Sequence, residues 1–331
     1  MSATTAPAAD RRATRATFVA KNFPVLSIGV VLAVLVLFFS VRTDAFLTTE
    51  NLVNVLRQVA PTVIVATAMT FVITTGQIDL SVGSVVGLTA AVLALLAKDG
   101  NPFVALLSAL AIGALVGVVN GLFAAYGRLQ SFIITLAALT AVRGVALLVT
   151  QGYSTPITSP VLLPLGQGQL LGIYTPTWIA LGTVVAGWYV FTQTRFGRYV
   201  VAVGSNAESL RRSGVDIRRM QLMVLVLTGV FAALAGVVTA TRLASGSSNS
   251  GTAFELEVIT AVVLGGTSLM GGRGSVVGSA LGAVTLGVIS NGLVLLRVDV
   301  YWVPIVQGVI LVGAIFANSR LFGRILRRSR S

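Results

Sequence analysis

Long stretches of this chain pass without a charged residue, and short polar breaks separate them. Charge-free runs cover residues 22–41, 58–78, 80–97, 100–127, 220–241, 258–270, 274–296 and 300–319. A helix needs about 20 apolar residues to cross about 30 Å of hydrocarbon, so most of these runs are long enough, or nearly so, for one crossing each. Residues 129–150 form a further run, interrupted by Arg143. Residues 177–192 make a short one with Trp178 near one end and Trp188 and Tyr189 near the other, as interfacial aromatics lie. The run at 258–270 is short and ends in Gly271-Gly272-Arg273-Gly274. The pattern predicts an all-α polytopic membrane protein of about ten transmembrane helices.

Between the runs, residues 151–176 form a loop rich in Gly and Pro, expected on the outer side. Residues 193–220 form the longest inner loop. Residues 1–21 are expected as a short disordered basic tail rather than a signal peptide, and 320–331 as a second basic tail, flanking a transmembrane domain over 22–319.

Composition agrees with the pattern. Of 331 residues, 55% are hydrophobic and 10% charged, with mean hydropathy +0.93. A soluble domain carries about 25% charged residues, so this apolar surplus belongs in lipid.

The formal net charge of +13 is an orientation signal. With the N-terminus placed inside and the spans alternating, 17 of the 23 basic residues fall on inner segments and the whole excess lies on that face. Both termini are therefore expected in the cytosol, with lipid as the surrounding medium, and no nucleic-acid partner is needed to explain the charge.

Absent residue types exclude whole chemistries. There is no Cys and no His, which removes disulfides, thiolate nucleophiles and the commonest general base and metal ligand. Lys occurs only at Lys21 and Lys98, each after Ala, so the Gly-Lys-Ser/Thr end of a phosphate-binding loop cannot occur. The chain is expected to be no enzyme and to hold no cofactor or metal. Any ATP and Mg must be bound by another polypeptide.

Small residues recur every fourth position at Gly113, Gly117, Gly121 and at Gly274, Gly278, Gly282, ridges that let helix backbones approach closely. Gly83-Ser84-Val85-Val86-Gly87 recurs as Gly274-Ser275-Val276-Val277-Gly278, a faint internal repeat.

In the inner loop, Ser205 followed by Glu208 reads as a capping box, Arg211 and Arg212 occupy the last turn, and Gly214 is a suitable stop. This predicts a two-turn helix between Gly204 and Gly214, which physics alone reads as a capped surface helix.

Four stretches in order resemble ABC importer permeases of the ribose/xylose/arabinose class, over about residues 50–320. They are Thr75-Gly76-Gln77-Ile78-Asp79-Leu80-Ser81-Val82-Gly83-Ser84, then Ser131-Phe132-Ile133-Ile134-Thr135-Leu136 with Ala141-Val142-Arg143-Gly144. The inner loop from Gly204 to Val215 follows, and Val263 to Gly274 closes the set. The chain departs from the family pattern at Gln77 (usually Gly), at Gln130 (usually Pro) and at Ser209 (usually Ala).

The resemblance implies a permease whose loop helix docks into an ABC ATPase subunit. Asn206, Ala207, Ser213 and Gly214 match the docking motif, and Gly204, Glu208 and Arg211 frame it. It also implies an extracytoplasmic solute-binding protein, a second permease copy or paralogue, a place in the bacterial inner membrane, and a fold similar to the ten-helix importers of the vitamin B12 type.

Polar residues within spans are the translocation-pathway candidates. Arg143 bonds to carbonyls of Gly-rich neighbours, snorkels outward, or lines the pathway. Asp79 sits in a Gly/Ser-rich break, where it caps the following helix with help from Ser81 or faces the pathway. Asn120, Asn291 and Gln307 are weaker candidates, since amides in spans often bond between helices.

The leading reading is a non-enzymatic permease subunit importing a pentose, hexose or related polar solute. The alternatives are a permease for nucleosides or branched-chain amino acids and, in another class, an ion-coupled secondary transporter.

Overall fold

The computed structural model describes residues 8–299 and 301–328, which fold into helices with two minimal strand pairs. The helices are α1 (Ala8–Arg42), α2 (Thr49–Thr74), α3 (Val82–Asp99), α4 (Pro102–Ala125), α5 (Ser131–Thr150), α6 (Pro164–Gln167), α7 (Thr175–Gln193), α8 (Arg195–Arg212), α9 (Ile217–Leu243), α10 (Phe254–Leu264), α11 (Val276–Leu295) and α12 (Trp302–Arg328). Six of them, α1, α2, α4, α5, α9 and α11, are long and apolar enough to cross a membrane, and α3 and α12 contain shorter apolar stretches. The protein is a polytopic α-helical membrane protein.

Local chemistry sets the helix starts. Asn101 caps α4 by accepting from Phe103 N at 2.9 Å, with Pro102 in the first turn. Asp216 caps α9 through Arg218 N and Arg219 N, and Ser275 caps α11 through Gly278 N.

The core is built around α2, buried on nearly all sides through its second half, and α9, which packs against α4, α3 and α2. The glycine ridges act as packing surfaces. A Cβ on Gly113 would strike the carbonyl of Gly229, and one on Gly117 the carbonyl of Leu225, so α4 and α9 meet backbone to backbone. Gly278 and Gly282 allow the same approach of α11 to α10.

Several expectations need correction. The stretch 8–21, expected as disordered tail, is the start of α1, and α12 runs on into the expected tail as far as Arg328. Ala and Arg crowd the first stretch and Arg and Leu the second, all strong helix formers. Residues 1–7 and 329–331 lie outside the described residues. The loop at 151–176 contains α6 and the strands β1 (Thr155–Pro156), β2 (Gln169–Leu170) and β3 (Ile173–Tyr174). β1 pairs with β4 (Ser245–Gly246), and Ile157 and Leu162 are buried beneath this layer.

The run at 258–270 holds a helix of only 11 residues, α10, about 16 Å long at 1.5 Å per residue. Gly266, at φ +89°, ends it, and a non-helical segment over residues 244–253 leads into it from α9. A Cβ on Gly246 would meet Ala90 and Ala94 and one on Gly87 the carbonyls of Ser248 and Ser250, while Gly251 would meet Gly83. The segment therefore re-enters the bundle along α3 before α10 begins.

Candidate functional site

The basic end of the bundle carries α8. This is one helical path with a break at Asn206, whose backbone is extended (φ −161°, ψ 88°). The side chain of Asn206 accepts a hydrogen bond of 2.9 Å from Ser209 N, so Asn206 is the cap of the short second arm. This corrects the expected capping box. Ser205 Oγ instead donates to Val201 O at 2.8 Å and to Gly272 O at 3.4 Å. Glu208, freed from that role, forms ion pairs with Arg211 at 2.7 Å and Arg212 at 3.2 Å on the exposed face.

The arm ends as expected. Gly214 has φ +81°, Gly214 N donates to Arg211 O and Val215 N to Leu210 O, the paired bonds of a left-handed helix stop. Ser213 Oγ bonds back to Ser209 O, and Ala207 is half-buried on the same arm.

Gly204 fixes this arm to the bundle. A Cβ there would strike Thr74 O and Gly272 N, which are themselves joined by a hydrogen bond of 2.8 Å. Three elements thus meet without side chains between them: α8, the end of α2 and the Gly-rich turn after α10.

The break after α2 leads to Asp79, which is buried at 1% exposure. Its Oδ1 accepts from Ser81 N at 2.9 Å and Ser81 Oγ at 2.6 Å, and its Oδ2 from Thr228 Oγ1 at 2.9 Å. Asn120 Nδ2 donates to Ser81 Oγ at 2.9 Å. The cluster ties the start of α3 to α4 and α9 with three neutral donors on the carboxylate, which meets the need of a buried polar group for partners. Asp79, Ser81 and Asn120 form one unit, buried away from any open surface. Two of the departures from the family pattern lie near it in the chain: Gln77 is buried two residues before Asp79, and Gln130 precedes Ser131, whose Oγ accepts from Ile78 N at 3.2 Å.

Arg143 is half-buried and reaches the re-entrant segment. Its Nη1 donates to Ser248 O at 2.6 Å and its Nη2 to Gly251 O at 3.1 Å. The bonding to carbonyls of a Gly-rich neighbour is therefore realised.

Asn291 is a clamp. It donates to Asn51 Oδ1 at 2.8 Å and accepts from Asn51 Nδ2 at 3.1 Å, joining α11 to the start of α2. Gln307 lies half-buried on α12, which packs chiefly against α10, and joins neither polar cluster.

The family model for the permease component of branched-chain amino acid transport systems matches residues 51–315. The chain belongs to this permease family.

The permease is 42% identical to the ribose import permease protein of Escherichia coli (strain K12) over 88% of this chain and 92% of that one. It is 38% identical to the ribose import permease protein of Bacillus subtilis (strain 168), over 87% and 91%. The xylose transport system permease protein of Escherichia coli (strain K12) is 33% identical, over 90% and 92%. No solved structure matches the permease. The relatives are transport components, so the permease is not itself an enzyme.

Sequence reasoning missed several residues of these polar clusters. Thr228 gave no signal within a Leu/Val-rich helix. Glu255 and Glu257, just ahead of the charge-free run at 258–270, stand in the first turn of α10. Glu257 Oε1 accepts from Thr62 Oγ1 at 2.9 Å, and Arg57 donates to the carbonyls of Gly166 and Arg242 while stacking 4.3 Å above the Tyr174 ring.

Proposed function

We propose that this chain is the membrane-spanning permease subunit of an ATP-driven importer, passing a sugar of the pentose or related class from a binding protein into the cytosol. The observation that carries the solute class is relatedness over nearly the whole chain to permeases for ribose and xylose. The family description names branched-chain amino acids, but relatives matched over most of their length are named for ribose and xylose.

Ten crossings account for the helices. The six long spans, the shorter α3, α7 and α12, and the re-entrant segment completed by α10 alternate to leave both termini on the basic, cytosolic side of a bacterial inner membrane. This number of crossings suits an importer of the vitamin B12 type working as a dimer. ATP and Mg are bound on a partner ATPase that receives the arm from Asn206 to Ser213, while a solute-binding protein meets the opposite end.

The test is transport by vesicles reconstituted with the permease, its ATPase and its binding protein. Uptake of D-ribose or D-xylose that depends on ATP is the expected result. Uptake of leucine or a nucleoside with neither sugar moved would replace this reading.

A further inference from the structure

Charged groups meet at mid-depth, beside the re-entrant segment. Glu257 touches Thr62, which stands halfway along α2, and Glu255 belongs to the same helical turn. Arg143 lies 12 residues into α5, about 18 Å from its start. A guanidinium and a carboxylate at that depth cannot face hydrocarbon without heavy cost. Yet Arg143 and Glu255 are both only half-buried, Arg143 on α5, of which little is covered, and Glu255 in the first turn of α10. They therefore border an aqueous path or a partner surface.

The polar atoms here are incompletely used. Glu255 is the charge that acts on Arg143, but the two form no ion pair, and the ion pairs among the described residues lie in or beside the α8 arm. Two of the five N–H groups of Arg143 hold the carbonyls of Ser248 and Gly251. Ser248 is fully buried and its Oγ has no hydrogen-bond partner; Glu255 Oε2 has none either. Both orphaned atoms belong to the group around Arg143, since Gly87 approaches Arg143 and Ser248 together and Gly83 lies against Glu255 and Gly251. Buried polar groups without partners are rare, and a bound water, ion or other polar group is one way their hydrogen bonds are completed.

We propose that Arg143, Ser248 and Glu255 form a mid-membrane site that takes the vicinal hydroxyls of the transported solute. This rests on the sugar-import reading. A diol can accept from the guanidinium and donate to the carboxylate at once, closing the gap between two charges that do not pair directly, and Ser248 Oγ supplies a neutral partner. Charge-assisted hydrogen bonds of this kind are about twice as strong as neutral ones. The segment 244–253 sets the spacing, because its carbonyls fix the guanidinium and its end starts the helix that carries Glu255.

The experiment compares D-ribose with 2-deoxy-D-ribose in the reconstituted system, using wild type, Glu255→Gln and Ser248→Ala with the same binding protein. Glu255→Gln should lower D-ribose uptake by about tenfold, the loss one charge-assisted bond carries, while the complex assembles and unfolds at the wild-type temperature. Ser248→Ala should reduce the preference for D-ribose over the deoxy sugar relative to wild type. Wild-type uptake and preference in both variants overturn the site, as does an equal loss for both sugars accompanied by failed assembly. A wild-type complex that moves neither D-ribose nor D-xylose overturns the sugar-import reading and this site with it.

Discussion

Thr228 on α9 donates a hydrogen bond of 2.9 Å to the carboxylate of Asp79, 149 residues earlier in the chain. With Ser81 and Asn120 it completes a cluster in which all four residues are at most 1% exposed. Thr228→Val keeps the shape and removes the donor, leaving Asp79 Oδ2 short of a partner. The expected loss is about 1–3 kcal/mol of stability, read as a lower unfolding temperature in detergent, with Thr228→Ser close to wild type. An unchanged Thr228→Val protein would mean the bond carries no weight.

Coupling should depend on backbone geometry at both ends of the α8 arm. Gly214→Val puts a β-branched residue at φ +81°, a strain of about 1–3 kcal/mol. Gly204→Ala drives a methyl into Thr74 O and Gly272 N. Both variants should lose co-purifying ATPase and sugar uptake together, whereas Asn206→Ala, which removes a cap worth about 1 kcal/mol, should be intermediate. ATPase retained at wild-type level by Gly214→Val would reduce the arm to a connector.

Arg143→Lys tests the anchoring of the re-entrant segment. Lysine keeps the charge but cannot hold the carbonyls of Ser248 and Gly251 with one planar fork. Amide hydrogen exchange over residues 244–253 should accelerate in this variant while α2 keeps its protection. Equal exchange in variant and wild type would show that the segment stands without the guanidinium.

We propose that the Asn51–Asn291 pair holds α11 to α2 and does not line the pathway. A double-mutant cycle with Asn51→Ala and Asn291→Ala should give a coupling of about 0.6–2 kcal/mol, the range for polar pairs between membrane helices. Uptake per folded molecule should stay at the wild-type level. Selective loss of transport with intact stability would return Asn291 to the pathway.

Orientation can be read with single thiols, because the chain contains no cysteine. Leu171→Cys, at a position 84% exposed beside β2, should react with an impermeant maleimide on intact cells. Ser209→Cys, on the exposed α8 arm, should react only after the membrane is opened. The reverse pattern would invert the topology.

Much of the architecture is local information and was legible in the residue order. Charge-free runs mark spans because hydrocarbon excludes charge over any stretch long enough to cross it. Gly214 announced its helix stop because only glycine sits easily at positive φ, and the ridge at Gly113, Gly117 and Gly121 marked a close helix contact. Other features depended on which groups meet in space. Ser205 and Asn206 are equally good caps on paper, and Asn206 took the role because Gly204 packs on Thr74 and ties Ser205 to Gly272. Glu255 and Glu257 lie just ahead of the charge-free run at 258–270 and gave no sign of their partners. Folding 244–253 back along Gly83 and Gly87 carried them beside Gly83 and Thr62, where the N-terminal end of α10 favours negative charge. Hydropathy sums neighbours along the chain, so it determined where the protein crosses the membrane. Partners 53 to 240 residues apart decided where the polar groups converge, and only tertiary packing sets those distances.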